Sequence, residues 1–260
     1  MRDPRIRRVE WRDLVPLSRF EIAKQVLLPV PWLVGSLICA DRGWWIAALA
    51  CSFILFLTGL RVVHDAYHMA LGLSRGATDG VIYGLSSMML GSMQAVKLTH
   101  LHHHRHCMDE ADVEAASALM PWWKAILVGP IFPIKNHLFA IGQASRRERR
   151  WIALELGTTV LLAVVAFGVF HWQPLRYHVL AMTVGQCLTS FFAVWTVHHD
   201  CDRSHFIART LRNRLKSVIA FDMFFHLEHH LYPRVPTCHL ARLSERLDEA
   251  APELQSMQVY

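Results

Sequence analysis

Charge is scarce in this chain: Asp, Glu, Lys and Arg make up 18% of its 260 residues, against 53% hydrophobic residues. That balance disfavours a water-soluble domain and favours a membrane protein. Organised cysteine is also missing. Cys39, Cys51, Cys107, Cys187, Cys201 and Cys238 form no CxxC pair, which excludes the common thiolate metal spacings and gives no disulfide framework. No HExxH, HPGG or GxGxxG run occurs, so the usual zinc-hydrolase, haem-anchoring and dinucleotide signatures are absent. The net charge of +6 does not mark a nucleic-acid binder, because the basic residues flank apolar segments and build no recognition module.

Long apolar runs, in contrast, are plentiful. Residues 43–63 are apolar except for Arg61 near the end, 177–197 hold no acidic or basic residue apart from His178, and 151–170 carry only Glu155 as a charge. Each reaches the roughly 20 residues that a helix needs to cross hydrocarbon. A shorter run, 26–40, contains Pro29 and Pro31. These segments predict an all-α integral membrane protein with about four transmembrane helices in two hairpins. Arg2, Arg5, Arg7, Arg8, Arg12, Arg19 and Lys24 precede the first run; Arg146, Arg147, Arg149 and Arg150 precede the third; Arg203, Arg209, Arg212, Arg214 and Lys216 follow the fourth. The positive-inside rule then puts the N-terminus, the central region and the C-terminal tail on the cytoplasmic side. The first apolar run shows no small-residue cleavage site, so it is expected to stay as an anchor. Residues 79–96 and 120–142 are apolar but interrupted, and are expected as re-entrant or interfacial helices. Leu240, Leu243 and Leu247 have the spacing of an amphipathic helix, lying on the membrane surface or against the core. No repeat divides the chain, and 1–260 reads as a single domain.

Histidine is the residue in excess. Eight of the 17 histidines fall in three groups: His64 and His68 read HxxxH, His100, His103 and His104 read HxxHH, and His226, His229 and His230 read HxxHH again. Residues three and four apart share a helix face, and neutral imidazole is a versatile metal ligand. All three groups fall on one side of the predicted membrane, which points to a metal centre and a cytoplasmic histidine-rich cap. His102, His106 and His205 are extra candidates, while the isolated His137, His171, His178 and His239 read as structural. Cys107 and Cys201 lie near the groups but read as packing residues.

Boxes of this kind, in this order and around two pairs of spans, resemble those of the membrane fatty acid desaturase superfamily. The likeness runs from residue 43 through the third box and its Leu231-Tyr232-Pro233-Arg234-Val235-Pro236 continuation. It implies two iron ions bound by the eight box histidines, with dioxygen as co-substrate and a further ligand from just after the last span. His198 and His199 both stand there; His199 is preferred as the ligand, with His198 behind it. A two-metal site that activates oxygen needs about eight or nine donors with room left for the gas. Asp65, Asp109, Asp112, Asp200 and Asp202 are candidates to accept a ring N–H and fix a tautomer, Asp65 and Asp112 foremost. Glu228 is expected to face away from the ligands.

The expected reaction is desaturation of a fatty acyl chain of a lipid, using dioxygen and two external electrons. A related possibility is a carotenoid ketolase or hydroxylase, although Tyr67 and Met69 depart from the HDAMHG box which that group carries. A zinc-dependent membrane hydrolase or a metal transporter fits less well, since the first lacks its HExxH and the second would place ionisable residues within its spans. Without a nucleotide, haem or iron–sulfur signature, electrons must come from a separate donor such as a ferredoxin.

Overall fold

Serine marks where several of these helices begin. The computed structural model describes residues 3–259, and their regular structure is helical, with one isolated β-bridge between Thr210 and Gln258. After the single turn of α1 (Pro4–Arg7), Ser18 opens α2 (Arg19–Leu27) with a capping box: its hydroxyl accepts from Glu21 N, and the Glu21 carboxylate accepts from Ser18 N at 2.8 Å. α2 passes through Pro29 into α3 (Val30–Asp41), where Pro31 occupies the first turn and its missing N–H costs nothing. The prolines therefore join two helices within one span, which reaches well beyond 26–40.

The Arg42–Gly43 turn leads to α4 (Trp45–Tyr67), followed by α5 (Arg75–Met89) and α6 (Met93–His106). Next come α7 (Trp122–Leu127), α8 (Phe132–Gln143) and α9 (Arg146–Val164), the last opened by a second capping box between Ser145 and Glu148. α10 (Gln173–Cys187) runs through a π-helical stretch, Ser190–Trp195, into the short α11 (Thr196–His198). The chain ends with α12 (Arg214–Ile219), α13 (His226–Leu231) and α14 (Leu240–Ala250). Four stretches have the length and hydropathy to cross a membrane: Arg19–Asp41, Trp45–Tyr67, Arg146–Val169 and Gln173–His198. They coincide with the four expected runs to within two residues at any end that falls outside. Residues 79–96 and 120–142 do not join them, because each breaks into two helices, at Leu90–Ser92 and at Val128–Ile131.

The spans present Val34, Ile38, Ile46, Leu49, Val160 and Leu161 outward. Hydrocarbon solvates such a belt, whereas water penalises it. Inward, α3 lies along α4, and α10 packs on both. Leu240, Leu243 and Leu247 are fully buried against Leu231, Val235, Ile6 and Leu14, so the amphipathic face of α14 meets the core. This cluster joins the N-terminal segment to the third histidine box, and the Tyr232 hydroxyl donates to the Ile6 carbonyl across it.

The placement of α6, which carries the second box, rests on polar groups buried in apolar surroundings. Leu90 turns the chain in the left-handed region (φ 56°), and the freed carbonyls of Met88 and Met89 accept from His178 Nε2 (2.9 Å) and Gln186 Nε2 (2.8 Å). The opening N–H groups of α6 are all engaged. Ser92 N donates to His137 Nε2 (3.1 Å), Met93 N to Ser86 Oγ (3.1 Å), Gln94 N to Glu155 (3.0 Å) and Ala95 N to Ser92 Oγ (3.1 Å). A carboxylate at a helix N-terminus is favoured by the exposed N–H dipoles. Glu155, the one charge in its apolar run, thus anchors α6.

Close backbone packing fixes the α7–α8 corner on α10. A Cβ at Gly129 would lie 1.9 Å from the Cys187 carbonyl oxygen, whereas one at Gly84 meets nothing within 4 Å. Gly129→Ala should therefore cost about 1–3 kcal/mol or more, while Gly84→Ala in α5 should gain up to about 1 kcal/mol from helix propensity. Thermal unfolding midpoints of the detergent-solubilised variants check this, and equal midpoints would contradict the packing.

Candidate metal centre

Each histidine group sits at a helix end pointed at the same volume: His64 and His68 at the end of α4, the second box in the last turns of α6, the third along α13, and His198 closing α11. Helix geometry divides each HxxHH. Positions i and i+4 fall about 40° apart, whereas i+3 lies on the other flank. His100 and His104 accordingly join His64, His68 and His229, while His226 and His230 join His103 and His198. Each of the two longer boxes serves both groups in opposite proportion. The groups are adjacent, since the rings of His104 and His230 stack at 4.2 Å with planes 11° apart.

Within each group the Nε2 atoms face one another. The distances are 3.1 Å for His68–His100, His100–His104 and His104–His229 in the first. In the second they are 3.1 Å for His103–His198, 3.0 Å for His198–His226, 3.1 Å for His226–His230 and 3.3 Å for His103–His230. Donors about 2.1 Å from one ion stand about 3.0 Å apart at right angles and about 3.4 Å apart at the tetrahedral angle. The observed spacings match that range.

Tautomers sharpen the point. His198 Nδ1 must donate to the Ile207 carbonyl (3.0 Å), because a carbonyl only accepts. Its Nε2 is then a lone pair, facing the Nε2 atoms of His103 and His226. His100 Nδ1 pairs with Glu114 (3.0 Å) and His103 Nδ1 with Asp112 (2.7 Å). His64 Nε2 is buried without any hydrogen-bond partner. A cation would satisfy every one of these nitrogens.

Electrostatics agree. Burial holds His68 down from 6.5 to about 4, with the other histidines adding to the effect, and pushes His100, His104, His226, His229 and His230 down as well. The rings are kept neutral, the form that binds metal. His103 goes the other way. Burial, the largest single effect, opposes its cation, but the hydrogen bonds to Asp112 and Cys107 and the nearby Glu114 together outweigh it and raise it. Asp112 itself stays below the usual carboxylate range despite burial, held by His103 and by the N–H groups of Ala115 and Met108. Burial pushes Glu114 up to about 7 and the Cys107 thiol upward, so Cys107 stays a thiol beside His103.

The sequence expectations divide accordingly. The eight box histidines come together. Of the adjacent pair, His198 and not His199 enters the cluster: His199 stacks on Trp195 at 4.1 Å and donates to its carbonyl. The π-helical stretch before α11 changes the register that an α-helical reading assumes. Asp112 does accept a ring N–H, but Asp65 does not. It is buried on Thr237, accepting from its hydroxyl (2.7 Å) and its N (3.2 Å), and so ties α4 to the segment after the third box. Asp109 pairs with the His106 ring Nδ1 (3.3 Å), outside the cluster, and with Arg203, while Asp200 and Asp202 are engaged with Arg209 and Ser204. Glu228 faces away from the rings, as expected, yet is fully buried against Thr210 and Arg212. His102 and His106 stack on each other outside the groups. His137, His178 and His239 bind backbone carbonyls. Glu114 was missed, since it is one of four acidic residues between 109 and 114 and no local pattern sets it apart.

Beside the rings lies an apolar cavity walled by Leu60, Tyr67, Phe132, Phe192 and Val197, and it reaches His64, His100, His226 and His229. Helices able to cross a membrane, a double histidine cluster and an apolar cavity opening on it define a membrane protein built around a metal-type site. The fatty acid desaturase family model matches residues 42–260, and the chain belongs to that family. It is therefore an integral membrane oxidoreductase of lipids by family. No curated protein matches it.

Metal removal should expose the burial of these rings. Unfolded histidines take up protons near pH 6.5 while His68 waits until about 4, so stability of the chelated protein is present above about pH 6.5 and is lost as pH falls through that window. Each ring held neutral removes up to about 1.4 kcal/mol per pH unit. Thermal midpoints of chelated protein across this range test it, and a flat profile would contradict neutral, buried imidazoles.

Proposed function

We propose that residues 1–260 form one di-iron desaturase domain that introduces a double bond into a fatty acyl chain of a lipid. His64, His68, His100, His104 and His229 hold one iron, and His103, His198, His226 and His230 the other. The observation that carries this reading is the pair of converging imidazole groups, five and four strong, at the end of an apolar cavity. Structural zinc takes four ligands in a closed tetrahedron, which the larger group exceeds. Reduced iron with dioxygen supplies the oxidant that an unactivated C–H bond requires.

The chain's own residues do the rest. Asp112 and Glu114 hold the rings of His103 and His100 so that Nε2 stays a donor to metal. Leu60, Phe132, Phe192 and Val197 exclude water and lay a methylene pair alongside the centre. The atom balance is simple: two hydrogens from neighbouring carbons, two external electrons and two protons reduce one dioxygen to two waters. A separate donor such as a ferredoxin brings the electrons, and the basic flanks place the centre on the cytoplasmic side with a surface suited to an acidic carrier.

Purified protein should contain two irons and no stoichiometric zinc. His198→Ala should lower bound iron toward one per chain, with His199→Ala retaining both. Lipid profiles of a host expressing the protein should gain acyl double bonds. Oxygenated carotenoid rings in a pigment-producing host, without new double bonds, would replace the acyl reading by a ketolase or hydroxylase. Stoichiometric zinc would favour a hydrolase.

A further inference from the structure

Arg61 is the single charged residue in an otherwise apolar run, and the histidine centre makes no use of it. It stands one turn before His64 in α4, is 6% exposed, and lines the same cavity as His64, His226 and His229. Its Nε and Nη1 are buried without a hydrogen-bond partner. The nearest candidate, Asp65, stands four residues on in α4 with its carboxylate turned to Thr237, which leaves Arg61 Nε and Nη1 unused.

Leaving such donors unmade in a low-dielectric site is unfavourable, and more so for a charged group. Ionisable residues within a span face a cavity and pair with what enters it. A guanidinium offers only donors, so its complement is oxygen. Because Asp65 already supplies the negative charge, the unmet need is for acceptors without further charge.

We propose, building on the desaturase reading, that Arg61 binds the carbonyl oxygen of an esterified or amide-linked acyl group, and so fixes how far along the chain the centre acts. The carbonyl is held about one helical turn, roughly 5 Å along the axis, from the level of His64. The rest of the acyl chain then lies against Leu60, Phe192 and Val197. A free carboxylate would leave the Arg61–Asp65 pair with one uncompensated negative charge, and is disfavoured.

The test uses purified full-length protein loaded with its metal and two probes isotope-labelled at the carbonyl carbon: palmitoyl lysophosphatidylcholine and palmitate. Infrared difference spectra read the carbonyl directly, without turnover. The ester band should move to lower frequency on binding, and Arg61→Met should abolish that shift and weaken ester binding about ten- to a hundredfold, with bound metal unchanged. Arg61→Lys, which keeps a charged donor, should retain part of the shift and covers the case in which Arg61→Met does not fold. A shift of palmitate alone would overturn the carbonyl assignment in favour of an anion site. An ester shift that survives in Arg61→Met, or none in the wild type, overturns the subsite. Product analysis separates the two proposals: an Arg61-dependent ester shift with no new double bond from any lipid sinks the desaturase reading and leaves the carbonyl subsite standing.

Discussion

Nine imidazole nitrogens brought together in a region closed to water constrain everything else in this molecule. Lone pairs facing one another at hydrogen-bond distance repel, and burial denies most of the rings the protons that would relieve the repulsion. Such an arrangement is stabilised by positive charge at its centre. It must also be held in place by the surrounding fold, because helices that end in repelling groups would splay without independent anchors.

Those anchors are buried polar contacts, placed one per box. Glu155, Ser86 and His137 secure the start of α6. Asp65 ties the first box to the segment after the third through Thr237. Glu228 reaches Thr210 and Arg212, and Arg212 in turn pairs with Asp248 of α14 at 2.6 Å. Ion pairs this buried stabilise little by themselves, but loss of one partner leaves an uncompensated charge. Their worth here is geometric. α13 has only six residues, too few for an isolated helix to persist, so the third box owes its shape to Glu228 and to the Leu227 and Leu231 side chains in the core.

Residue pattern alone reveals the spans, the three boxes and the helical faces they share, because each depends on local periodicity. It locates the broken helices at 79–96 and 120–142 for the same reason. It fails where geometry departs from the α-helix or where a partner is distant in sequence. The choice between His198 and His199 turns on the π-helical residues 190–195, whose register no apolar period encodes. The use of Asp65 depends on Thr237, which is 172 residues away. Glu114 reads as a surface acid until the loop after α6 folds back and buries it against His100. The first span extends past Pro29 because proline ends a helix only when the next residues do not restart one.

The centre is also asymmetric, and the asymmetry follows from which elements close each side. His64, His100 and His229 of the five-membered group line the cavity, whereas only His226 of the four-membered group does. Behind the second group stand Asp112, Cys107 and the Ile207 carbonyl, all buried or turned inward. Asp112 is the one carboxylate held below its ordinary range against these rings, while Glu114, behind the first group, is pushed up to about 7. The group farther from the cavity therefore has the full negative charge at its back, and the group facing the cavity has less. Metal ions held by the two groups would meet two different fields, the stronger negative one on the side away from the apolar cavity.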